Sequence, residues 1–178
     1  MAESFSNAVA RAAGGVTTLT GVTINATTTT ITGISTAGLA TGDLVDTPHF
    51  LAGTKIQSIG VGEITLDRTS TNSVAATSQT VRIMSQTTLY TSTGLKTILI
   101  GGTFANNTNN QVALTVEVTD TSGGVTVALA SKVPVPAGSS FVISDAGKTL
   151  LDDGDIIKIY CDTDNAIDAN ISVLTGVN

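Results

Sequence analysis

The stretch LLDDGDIIKIYCDTDNAIDAN, residues 150–170, holds six aspartates: Asp152, Asp153, Asp155, Asp162, Asp164 and Asp168. Carboxylates this dense can ligate a divalent cation, or work as an acid–base pair. The first three surround Gly154 between two apolar runs. An EF-hand loop needs alternating Asp/Asn before its glycine and a distant glutamate, and LLDDGDII supplies neither. Asp capping its own backbone beside a glycine is what a tight turn wants. CDTDNAID is closer to an oxygen-rich cation loop, which makes Asp162, Asp164 and Asp168 weak metal candidates. Asp162 and Asp168 nevertheless fall at strand ends, where carboxylates are solvated, so turn chemistry is the expectation and no resident metal or cofactor is predicted.

Other chemistry finds little support. A glycosidase cleft is walled by aromatics, and this chain has two Tyr, four Phe and no Trp. His49 is the single histidine, which excludes a His-based metal cluster and signals no Ser-His-Asp arrangement. Cys161 is the single cysteine, so no intrachain disulfide forms. Its place in the alternating IIKIYCD makes it a small buried hydrophobe. The glycine-bearing GVGE and TSGGV are hairpin turns, since no helix follows to receive a phosphate. The prediction is that the protein is not an enzyme.

The elements that must carry these residues are strands. Apolar residues make up 41% of the 178, and the polar share is dominated by Thr, Ser, Asn and Gly. β-Branched residues suit pleated strands, and glycines with Asn and Asp supply turns about every 8–12 residues. The fold class expected is all-β: an antiparallel β-sandwich or jelly-roll-like domain, plus a smaller inserted β module and an N-terminal arm.

The organisation predicted is an arm over 1–15, a small β module over 16–85 and a β-sandwich over 86–178. In the arm, Phe5, Ala8, Val9 and Ala12 share one face of a short helix, and a segment ordered against a neighbouring subunit explains them equally well. QVALTVEVTDTSGGVTVALAS reads as a hairpin. Val112, Leu114, Val116 and Val118 take the core face, Val125, Val127 and Leu129 return to it, and Thr115, Glu117 and Thr119 point outward. VPVPAGSS is an edge or crossing link, because Pro134 and Pro136 lack the N–H that a central strand needs. The junction IMSQTTLYT has no linker composition, so the two modules should pack rigidly or share a strand.

Charge narrows the partners. A formal charge of −6 and scattered Lys and Arg leave no basic stripe for nucleic acid. No apolar run reaches the roughly 20 residues of a membrane-spanning helix. The first fifteen residues lack the pattern of a signal peptide, so synthesis in the cytoplasm is expected.

The combination of SFSNAVARAAGGVTT with TTLYTSTGLKTILIGGTFANNT, QVALTVEVTDTSGG, VPVPAGSS and LLDDGDIIKIY resembles a small β-sandwich family among virion structural proteins of tailed bacteriophages, those of marine cyanobacteria in particular. Residues 17–85 look like an insertion similar to β modules of phage tail and fibre proteins. The resemblance covers roughly 60% of the chain well. It implies a capsid decoration or cement protein, or a neck or tail component, resident in the virion and made in the bacterial host cytoplasm. Its partners would be other virion proteins and itself as a homo-oligomer. The interface residues expected are Phe5, Val9, Thr115, Glu117, Thr119, Pro134 and Pro136. The alternative is a host-surface or glycan adhesion module working through DTPHFLAG and RTSTNSVAATS.

Overall fold

A computed structural model describes residues 3–94, 96–143 and 148–177. Fifteen strands and no helix occur among them. β1 (Ser4–Ala13) opens the chain. β2 (Val16–Ile24), β3 (Thr30–Thr32), β4 (Leu44–Asp46), β5 (Ile56–Gly60), β6 (Glu63–Leu66) and β7 (Ala76–Met84) follow. β8 (Thr87–Thr91), β9 (Lys96–Asn106), β10 (Val112–Asp120) and β11 (Val125–Val135) come next. β12 (Ser140–Ile143), β13 (Thr149–Leu151), β14 (Ile156–Cys161) and β15 (Ile167–Val177) complete the chain. The first two residues of the expected arm lie outside the described residues.

The chain divides into two compact units, one made of residues 15–86 and the other of 1–14 with 87–178. In the first, β2-β7-β4 and β3-β6-β5 form two three-stranded sheets around Ile24, Ile31, Ile56, Ile64, Val81 and Ile83. Its two ends are neighbours: Val16 pairs with Met84, and Ser85 N–H donates to the Gly15 carbonyl at 2.7 Å. A segment whose ends meet can be inserted into another fold without stretching it. The units do not share a strand, because β7 and β8 belong to different sheets.

The second unit is a sandwich of two antiparallel sheets, ordered β1-β15-β9-β12, with β13 also on β9, and β11-β10-β14-β8. With β13 set aside, the eight strands taken in chain order as B to I give sheets B-I-D-G and C-H-E-F, the jelly-roll topology. The 15–86 unit occupies the connection between the first two of those strands. Between the sheets lie Leu99, Phe104, Ala169, Ile171 and Val173 from one, and Val112, Leu114, Val116, Ile157, Ile159 and Cys161 from the other.

Three expectations are corrected. Residues 4–13 form neither a helix nor a free arm: β1 pairs with β15 from Ser4↔Thr175 to Ala10↔Ala169. In the strand the helical set splits between two faces, with Ala8 packed inward beside Ala10 while Phe5 and Val9 are exposed. Val125, Val127 and Leu129 do not return to the core. Val127 opposes Val118, yet it is 54% exposed where Val118 is 6%: β11 is the outermost strand of its sheet, while β10 lies between β11 and β14. Thr115 and Glu117 lie on the face of β10 opposite the core, as expected, but are buried there beside Tyr160 and Lys158 of β14, and Thr119 is half-buried with its hydroxyl 3.0 Å from that of Thr126. β11 is an edge strand, as Pro134 requires.

Candidate interaction surface

The aspartates tie turns together. Asp155 is buried, and its two carboxylate oxygens accept Thr121 N–H at 3.0 Å and Asp152 N–H at 2.9 Å. The DDGD turn is thereby locked to the hairpin tip after β10. Asp153 accepts Gly94 N–H, which fixes the turn after β8. Asp162 accepts Ala113 N–H at 2.8 Å, and Asp168 accepts Ala12 N–H at 2.8 Å. Backbone N–H donors favour the charged form of a carboxylate. The Asp168 acid is accordingly lowered below its ordinary range, first by Ala12 N–H, with smaller help from Asn107 and the positive charge of Arg11. Asp120 is lowered likewise by Gly123 N–H and the Ser122 hydroxyl in its own turn.

Two of the three weak metal candidates aim at different backbone groups, Asp162 at Ala113 of β10 and Asp168 at Ala12 of β1, while Asp164 is exposed in the turn between β14 and β15. Among the described residues no three of His, Cys, Asp or Glu are grouped so as to hold a metal ion. Cys161 is buried in the sandwich. His49 lies 2.9 Å from Gln79 Oε1, inside the 15–86 unit.

The outer face of the β1-β15-β9 sheet carries a different kind of feature. Register places Phe5 opposite Leu174, Leu174 opposite Ile98, and Ile98 opposite Leu150. Four apolar side chains thus line up across four strands, with Phe5 74% and Leu150 52% exposed. A second row runs Val9, Asn170, Thr103, Val142, whose ends are 73% and 56% exposed. The first row is apolar throughout, the second only at its ends, and apolar patches exposed on a sheet face mark places where a protein meets another surface. An open hollow of about 500 Å³ lies between these rows and the β1 end, lined by Val9, Arg11, Thr103, Asp168 and Asn170.

Phe5 and Val9 of the expected interface sit on this face, and Pro134 and Pro136 are exposed at the far β11 edge of the other sheet. Ile98, Leu150, Val142 and Leu174 had escaped notice. TILI in β9, apolar on both faces, was the signal available, since a half-solvated strand should alternate.

A second, polar hollow of about 540 Å³ is lined by Asn106, Asn107, Thr108, Asn109 and the turn at 137–140. Asn106 builds it: its buried amide nitrogen donates to the carbonyls of Asn110, Val135 and Pro136, while its oxygen accepts from Thr108.

Comparison with protein-family models, with curated proteins and with solved structures returns no match.

Proposed function

We propose that this protein is a structural component of a tailed-phage virion, a capsid decoration or cement protein or a neck or tail protein, acting through protein–protein contacts rather than catalysis. The observation that carries this reading is the apolar row Phe5, Leu174, Ile98, Leu150 across one sheet face, exposed at both ends and half-buried in the middle. Such a row gives a large, flat contact at low entropic cost, and a particle that repeats the contact at symmetric positions gains avidity from modest individual interfaces. The jelly roll is a fold that capsid proteins use, but lectins use it too, so the fold weighs less than the surface. The residence implied is the virion, after synthesis in the host cytoplasm, with other virion proteins and further copies of itself as partners.

The polar hollow around Asn106 favours a second reading, adhesion to a host-surface glycan, because convergent amides and hydroxyls suit sugar hydroxyls. Low-dose imaging of virions with and without this protein separates the two. Density at symmetric positions on head, neck or tail supports assembly. Particles identical in both preparations, together with glycan binding by the isolated chain, overturn it.

A further inference from the structure

We propose that the free edge of β1 pairs antiparallel with the same edge of a second copy of this chain, about a two-fold axis through Asn7, setting Glu3 against the second copy's Arg11 and Phe5 against its Val9. β1 is the last strand of its sheet, bonded on one side only, to β15. An uncovered edge presents unpaired N–H and C=O groups to any chain that can match them. Between Ser4 and Ala10 it holds no charge, no proline and no bulge, so the usual devices that blunt an edge are missing there.

Symmetry then restricts the register. Residues opposite each other in an antiparallel ladder face the same way, so two copies of one strand related by a two-fold must centre on a residue. Odd-numbered residues point to the outer face here, since Ala8 and Ala10 pack inward. A centre on Ser6 sets Glu3 against Val9 and Phe5 against Asn7. A centre on Ala8 sets Phe5 against Arg11. A centre on Asn7 alone gives two Glu–Arg pairs, two Phe–Val pairs and an amide pair on the axis. Cross-strand pairs of opposite charge and of aromatic with β-branched residues are the favourable ones.

The edge also stops where this register stops. Ala12 has φ +52 and sits in the bulge between Ala10 and Ala13, and its N–H is already taken by Asp168. Arg11 is thus the last residue before the edge closes, opposite the Glu3 that precedes the strand. The pairing would carry the apolar row onward, from Leu150, Ile98, Leu174 and Phe5 to the second copy's Val9.

The test is cysteine cross-linking of the full chain with sedimentation alongside. In an antiparallel ladder, the two copies of residue 7 would sit with Cα atoms about 4.5–5.5 Å apart, within reach of a disulfide. The two copies of residue 9 would be about 13 Å apart. Asn7→Cys should give a covalent dimer under mild oxidation, Val9→Cys should not, and buried Cys161 supplies the wild-type background. Glu3→Arg should weaken dimerisation by about tenfold or more, and Glu3→Arg with Arg11→Glu should restore it. A chain that stays monomeric at high concentration, or that cross-links equally through positions 7 and 9, overturns the pairing. A dimer that binds no virion would count against the virion reading only, and a monomer that decorates virions against the pairing only.

Discussion

Asp168 on the last strand accepts the N–H of Ala12 at 2.8 Å, so the chain's final strand closes off the end of its first. The bond lies where β1 bulges and the backbone turns to leave the sandwich at Gly14. It also lowers the Asp168 acid below the usual carboxylate range. One interaction therefore joins sequence ends, ends an edge and sets a titration.

Acid should expose that coupling. A carboxylate whose folded pKa is depressed contributes stability that is present above its unfolded pKa and lost as pH falls through the folded value. For Asp168 and Asp120 both values lie at or below the ordinary carboxylate range, so the loss falls in strong acid. Asp168→Ala should melt lower than the wild type at neutral pH. Melting curves taken stepwise into acid should show that gap closing as the wild-type carboxylate is protonated.

Gly14 should not tolerate a side chain. Its φ is +112, and an added Cβ would lie 2.5 Å from the Thr163 carbonyl oxygen and 2.9 Å from Cys161 Cβ. Backbone strain and overpacking together predict a loss of about 2–4 kcal/mol for Gly14→Ala, measured by denaturant titration. Gly21, with nothing within 4 Å of its added Cβ, isolates the φ contribution, and Gly21→Ala should cost less.

The long hairpin should be two-faced in its energetics. Leu114 is fully buried between the sheets, and Leu114→Ala should cost about 2–5 kcal/mol. Val127 is exposed at the tip, and Val127→Ala should change stability by less than about 0.5 kcal/mol. Equilibrium unfolding of the two variants side by side measures the contrast.

Asn106 should matter more than its loop position suggests. Replacing it with Ala removes the amide bonds to the Asn110, Val135 and Pro136 carbonyls and the acceptor for Thr108, leaving Pro136 bonded to Ser139 and Thr108 to Asn110, at a cost of about 1–3 kcal/mol. Hydrogen exchange should show faster opening confined to residues 106–110 and the end of β11.

Much of this architecture was legible, for physical reasons. Alternation in IIKIYCD placed Cys161 inward, and the missing N–H of Pro134 put β11 at an edge. What was hidden depends on contacts distant in sequence. Phe5, Ala8, Val9 and Ala12 fit a helix turn as well as a strand, and only pairing with β15, more than 150 residues away, decides between them. Val127 looks like a core residue until its exposure beside the buried Val118 is known. Thr115 and Glu117 look solvated until Tyr160 and Lys158 lie beside them. Of the surface row, only Phe5 and the doubly apolar TILI were legible; its continuity was not, because it is assembled from four strands that only register aligns.

The most direct test of architecture over chemistry is a calorimetric titration of the metal-free chain with calcium, manganese and zinc, with melting curves alongside. No saturable heat and no cation-dependent rise in melting temperature are expected, either for the wild type or for Asp164→Asn with Asp168→Asn. One-to-one saturable binding that this double substitution abolishes would contradict it, and would make the aspartates a site.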